Sequence, residues 1–108
     1  MEAKKNDIVD DKLRWDLLPL EDLEEVVGLY TFGVHKYAEN SWQNLPNGEE
    51  RYRGALFRHL LLHLKGEEVD KESGYSHLAA VIWNAIAMYH CYKNNKNGQE
   101  HKEVSDRI

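Results

Sequence analysis

Between Leu78 and Met88 the chain reads Leu-Ala-Ala-Val-Ile-Trp-Asn-Ala-Ile-Ala-Met, apolar on almost every face of a helix. Such a segment needs cover on all sides, which predicts a central buried helix with other elements packed round it. The helix is expected to run from Glu72 or Ser73 to Lys93. No segment alternates with the two-residue period of a half-buried strand.

Two more helices are expected before it. Pro19 is well placed to open the first, because its missing N–H is not needed there. From Leu20 the apolar residues Leu23, Val27, Tyr30, Val34 and Tyr37 follow the 3.6-residue period of one helical face. Gly28 and Gly33 each weaken that helix by about 1 kcal/mol relative to Ala. A kink or a close packing contact is expected near Gly33. Asn44 to Gly48, with Pro46 inside it, marks a loop. The next helix runs from Glu50 to Lys65, and Gly66 loosens or ends its last turn. The fold class is therefore all-α, a small bundle of three to four helices.

Residues 1–11 are charged and lack apolar periodicity, as expected of a flexible arm. Residues 94–108 read as a polar tail, which leaves residues 12–93 as the folded domain. A chain of 108 residues makes one domain with a modest core. A homo-oligomer, a dimer or more, would relieve that shortage. The formal charge of −5 argues against a polymeric nucleic-acid partner. It leaves a nucleotide open, since a metal can supply positive charge locally. Cys91 has no second cysteine to pair with, the start is polar, and no apolar run approaches the roughly 20 residues of a membrane span. A cytoplasmic protein with no membrane partner is the expectation.

The chemistry-bearing residues cluster just ahead of the apolar segment. If the second helix continues past Gly66, His63, Glu67 and Asp70 lie about 40°, 80° and 20° round its axis from His59. On the third helix His77 and Asn84 are only about 20° apart. Imidazoles and carboxylates bordering an apolar face are costly to bury unpartnered. Facing helices that project such groups inward are a common way to hold a metal. Carboxylates suit Mg²⁺ or Mn²⁺, and imidazole widens the choice toward Co²⁺ or Zn²⁺. The plain alternative is that the histidines pair with nearby carboxylates, while Asp70 and Glu72 favour the start of a helix dipole.

Glu21 and Glu24 form a further acidic pair. With Glu67 and Asp70 they spell a Glu-x-x-Glu … Glu-x-x-Asp pattern similar to that of the all-α nucleoside triphosphate pyrophosphohydrolases. Their separation is longer than usual, and a solvent face explains the first pair equally well. Lys12, Arg14, Lys36, Arg53 and Arg58 offer cations for a phosphate chain, and Tyr37 and Trp42 offer aromatic faces for a base. The alternative for these is solubilising charge and core closure, the reading preferred for Arg51 and Lys65.

Taken in order, several motifs resemble one known family. They are Lys12-x-Arg14-x-x-Leu17-Leu18-Pro19, Tyr30-Thr31-Phe32-Gly33-x-x-Lys36-Tyr37 and Asn40-x-Trp42. Arg58-His59, Gly66-Glu67-x-x-Asp70-x-Glu72-Ser73-Gly74-x-x-His77-Leu78 and Asn84 continue the series. Together, over about residues 10–90, they resemble the phage dATP/dGTP diphosphohydrolase family of the N-terminal-domain type. The resemblance implies a metal-dependent all-α enzyme from a phage or prophage setting. Such enzymes cleave a purine deoxynucleoside triphosphate to the monophosphate and pyrophosphate.

The chemistry of that reaction suggests roles. Glu67, Asp70, His59 and His77 would hold a divalent ion, Mg²⁺, Mn²⁺ or Co²⁺. Glu72 would be the base or a further ligand, and Arg58 and Lys36 would neutralise phosphate charge. Tyr37, Trp42, Asn84 and Arg53 would bind the rest of the substrate. Two rivals stand beside this reading: a non-catalytic protein that sequesters a nucleotide, and an interaction module without ligand chemistry.

Overall fold

A computed structural model describes residues 12–96, with the side chain of Lys96 left aside. The expected arm at residues 1–11 and most of the expected tail lie outside the described residues. Among the described residues three α-helices carry the fold: α1 (Glu24–Lys36), α2 (Gly48–Leu64) and α3 (His77–Lys96). Short 3-10 turns at Trp15–Leu17, Leu20–Leu23 and Ser41–Asn44 lead into and out of them. No strand forms among the described residues, and a single antiparallel bridge joins Val69 and Ser76. The molecule is all-α.

Pro19 opens a 3-10 turn rather than an α-helix, and the α-helical bonding starts five residues later, at Glu24. The close packing expected at Gly33 occurs at Gly28 instead. A Cβ there would lie 2.6 Å from the Tyr75 ring, whereas one at Gly33 would meet nothing within 4 Å. Gly28 is therefore where α1 meets the segment that leads into α3.

Helix α2 ends at the expected Gly66 stop, and the departure lies in the segment that follows. Helix α2 stops at Leu64 and does not carry Glu67 and Asp70 on its surface. Gly66 takes φ +102°, a left-handed conformation that glycine adopts without a Cβ clash. The Gly66 N–H then donates to the His63 carbonyl and the Glu67 N–H to the Leu62 carbonyl, at 3.0 Å each. This pair of bonds is a Schellman stop, which satisfies the last carbonyls and turns the chain away. Helix α3 likewise starts at His77, not at Glu72 or Ser73. The Ser76 hydroxyl accepts from the Ala79 N–H at 3.1 Å, which caps the new helix. Residues 65–76 thus form a loop, and the acids sit on it.

Helix α3 packs chiefly along α2 and secondarily against α1. Its buried face is built from small residues: Ala79, Ala80, Asn84, Ala87 and Cys91. Tyr52, Ala87 and Cys91 form one buried cluster, covered by Trp42, Leu45, Trp83 and Met88. A Cβ on Gly48 would come within 2.7 Å of the Cys91 sulfur, so the start of α2 is pressed against α3. The other face carries Leu78, Ile82, Ile86 and Tyr89, all exposed. The expected helix covered on all sides is instead covered on one side, because small residues let its neighbours approach closely only there.

Candidate functional site

The ends of α1 and α2, the 65–76 loop and the middle of α3 enclose a cleft of about 630 Å³. That volume lies within the usual range of small-ligand sites. One wall is aromatic. Trp83 is its hub, with ring centroids 5.2 Å from Tyr30, 5.5 Å from Tyr52 and 6.1 Å from Trp42. Tilted and edge-on contacts of this kind suit the ring quadrupoles. The Tyr52 hydroxyl donates to the Trp42 carbonyl at 2.7 Å, which ties the 3-10 turn at Ser41–Asn44 to α2. Burial pushes the Tyr52 phenol up to about 12, so it stays a donor. The Trp83 Nε1 is buried and finds no acceptor.

The facing wall is polar. It presents Lys36 from the last turn of α1, His59 from α2, and Asp70, Glu72 and Ser73 from the loop. Lys36 pairs with Glu72 on this wall, and that hydrogen bond raises the lysine pKa above its ordinary value. Asp70 is pinned locally. Its carboxylate accepts from the Glu72 N–H at 3.3 Å and from the Ser73 hydroxyl at 3.4 Å. Its backbone N–H donates to the Tyr75 carbonyl at 2.8 Å.

Behind His59 stands His77, only 1% exposed. The two Nδ1 atoms are 2.9 Å apart, and His77 Nε2 is 2.9 Å from a Glu67 carboxylate oxygen. A carboxylate only accepts, so His77 donates from Nε2 and accepts at Nδ1 when it is neutral. His59 must then donate from Nδ1, which leaves its Nε2 lone pair unclaimed. Burial pushes the His59 pKa below its ordinary value, outweighing the opposing pull of Asp70. Glu67, His77 and His59 form one chain of hydrogen bonds that ends on a residue of the cleft wall.

The structure thus distributes the candidates over distinct places. Lys36, Tyr37, Trp42, His59, Asp70, Glu72 and Asn84 line the cleft, whereas Glu67 and His77 stand behind it. Arg53 and Arg58 are exposed on α2 and do not line it. Glu21 and Glu24 are exposed and outside it as well, and neighbouring Glu25 accepts from the Ser76 N–H at 3.0 Å. Arg51 does line the cleft, as do Tyr30, Tyr52 and Trp83. Tyr30 and Trp83 read in the sequence as parts of apolar helical faces, Tyr52 does not stand out there, and Arg51 read as surface charge. Asn84 is buried and donates from its side-chain amide to the Ala80 carbonyl at 2.8 Å.

The donors near His59 are carboxylate oxygens and imidazole nitrogens, the kind a divalent cation takes. Among the described residues, no group of three or more such side chains is arranged to hold one. His77 is spent on Glu67 and His59, and Glu72 on Lys36. The donor set fits such an ion in kind, and a rearrangement of these pairs would have to complete it.

An all-α domain whose cleft joins an aromatic wall to a wall of lysine, carboxylates and imidazole has the makings of a nucleotide site. The family model described as dATP/dGTP diphosphohydrolase, N-terminal, matches residues 2–101, and the chain belongs to that family. No curated protein and no solved structure gives a significant match.

Proposed function

We propose that the cleft binds a purine deoxynucleoside triphosphate, dGTP or dATP, and hydrolyses it to the monophosphate and pyrophosphate. The observation that carries this reading is the pairing of two unlike walls in one cleft, against the background of the family. A purine has a flat face to place against Trp42, Tyr37 or Trp83. The triphosphate would lie toward Lys36 and Arg51, whose positive charge offsets the charge that builds up on the phosphates. Arg51 takes this part in place of Arg58 and Arg53, which lie outside the cleft.

Anion binding at Lys36 would draw it from Glu72. The freed Glu72 carboxylate then accepts a proton from a water as that water's oxygen attacks the α phosphorus. The bond from the α phosphorus to the bridging oxygen breaks, and pyrophosphate leaves. His59, held by His77 and Glu67, offers its Nε2 as an acceptor on the same wall. Asp70 and His59, with Glu67 and His77 behind them, would hold a divalent ion, Mg²⁺, Mn²⁺ or Co²⁺. When bound, the ion would neutralise phosphate charge and polarise the phosphoryl group. The reading places the protein in the cytoplasm, host cytoplasm for a phage-encoded chain, where these nucleotides are.

A second reading is favoured by the Lys36–Glu72 and His77–Glu67 pairs, which occupy the groups that catalysis needs. On it, the protein sequesters a nucleotide without cleaving it. Calorimetric titration of dGTP with and without a chelator, beside a pyrophosphate-release assay, separates the two. Binding with turnover supports hydrolysis, and chelator-insensitive binding without turnover supports sequestration.

A further inference from the structure

We propose that the exposed stripe of α3 pairs, antiparallel and two-fold, with the same stripe of a second copy of this chain. Leu78, Ile82, Ile86 and Tyr89 are 44%, 38%, 41% and 59% exposed and follow one another on a single helical face. The opposite face buries alanines. A helix serving only a one-chain core would turn its large side chains inward and its alanines outward. Here Trp83 and Met88 face the core, but Leu78, Ile82, Ile86 and Tyr89 are turned outward while Ala79, Ala80 and Ala87 fill the buried face.

Charge points to a second copy as the occupant. The chain carries a net −5, so most approaches between two copies bring like charges together. From His77 to Tyr92 there is no Asp, Glu, Lys or Arg at all. This helical segment is one that two acidic chains can bring together without repulsion. The spacing agrees with self-pairing. The intervals along the stripe are four, four and three residues, and nearly the same series is read in the opposite direction. An antiparallel partner therefore sets Leu78 against Tyr89 of the second copy, and Ile82 against Ile86 of the second copy. That is the isologous contact of a two-fold dimer, in which one patch meets itself. Three- and four-residue intervals are also those at which helix ridges interdigitate.

Helix α2, packed along α3, carries exposed Phe57, Leu61 and Leu64, further apolar surface on the adjoining helix. Lys93 lies 4.9 Å over the Tyr89 ring at the far end of the stripe. It supplies a charged rim of the kind that borders interface cores.

Sedimentation equilibrium of the full chain at tens of micromolar tests the proposal. The wild type is expected at twice the chain mass of 12.7 kDa, and Ile82→Glu/Ile86→Glu at the single-chain mass with its helical circular dichroism retained. Should that variant fail to fold, two single-cysteine changes serve instead. Chains bearing Ile82→Cys and chains bearing Ile86→Cys are mixed and oxidised, and the mixed disulfide is expected to outweigh either homodisulfide. A wild type at the single-chain mass, a dimer indifferent to the two glutamates, or an excess of homodisulfides would overturn the proposal.

Discussion

His77 holds His59 by a 2.9 Å contact between their Nδ1 atoms, and thereby sets which nitrogen of His59 is left for the cleft. The buried ring of His77 is itself fixed by Glu67 on its far side. Glu67 thus acts on the cleft without lining it. Glu67→Gln keeps an acceptor for His77 but removes the carboxylate. Loss of such a supporting partner costs about 10–100-fold in metal affinity or activity. Turnover of dGTP should fall by that factor while circular dichroism stays unchanged. Full activity in this variant would contradict the role given to the Glu67–His77–His59 chain.

The same chain gives a pH dependence. The His59 pKa is depressed in the folded state, chiefly by burial. Its ordinary value is 6.5. Below that value the unfolded chain takes up a proton that the folded chain resists. The contribution of neutral His59 to stability is therefore complete above pH 6.5 and is lost as the pH falls through the folded value. Urea midpoints measured from pH 7.5 downward should decline across that window. The decline should be shallower in His59→Gln.

Lys36 and Glu72 neutralise each other on the polar wall of the cleft. Glu72→Gln leaves Lys36 free for phosphate and removes the proposed base. The expected outcome is a lower KM for dGTP together with a kcat reduced by about 10²–10⁴-fold, the usual contribution of a general base. Steady-state kinetics across a substrate series would show the split. A rise in KM with kcat unchanged would assign Glu72 to binding.

Tyr52 ties the Trp42 turn to α2 through its hydroxyl. Tyr52→Phe removes that bond with little change of shape, at a cost of about 1 kcal/mol. Denaturant titration should show that loss. Tryptophan fluorescence should report a looser Trp42, and nucleotide affinity should weaken if this wall holds the base.

The two glycines of α1 should respond in opposite directions. A Cβ at position 28 meets the Tyr75 ring at 2.6 Å, and one at position 33 meets nothing within 4 Å. Overpacking costs about 1–3 kcal/mol, while Ala favours a helix interior over Gly by about 0.5–1 kcal/mol. Gly28→Ala should lower the melting temperature, and Gly33→Ala should hold or raise it.

Much of this fold was legible in the apolar periodicity. Leu20 to Tyr37 and Glu50 to Lys65 follow helical faces that local bonding realises with small shifts at the ends. The end of the second helix at Gly66 was legible as well, but the extent of the 65–76 loop beyond it was not. Its spacing mimicked a continuing helix, and only the Gly66 stop and the Ser76 cap break it. His59, Glu67 and His77 were drawn together by the costs of burial, yet from a loop and two helices rather than from two facing helices. Trp83 was hidden because an indole inside an apolar run is most simply core. The outward stripe of α3 was hidden for a related reason, since composition reports how apolar a helix is and not which side its neighbours occupy.

The account rests on hydrolysis in the cleft, and pyrophosphate release measures that directly. The assay supplies dGTP, dATP, GTP and dTTP with Mg²⁺, Mn²⁺ or Co²⁺, or with EDTA, and carries Glu72→Gln as its control. Release from the purine deoxynucleotides that needs the metal and collapses in the control is the predicted result. No release from any nucleotide with any metal, from a chain that still binds dGTP, would contradict it.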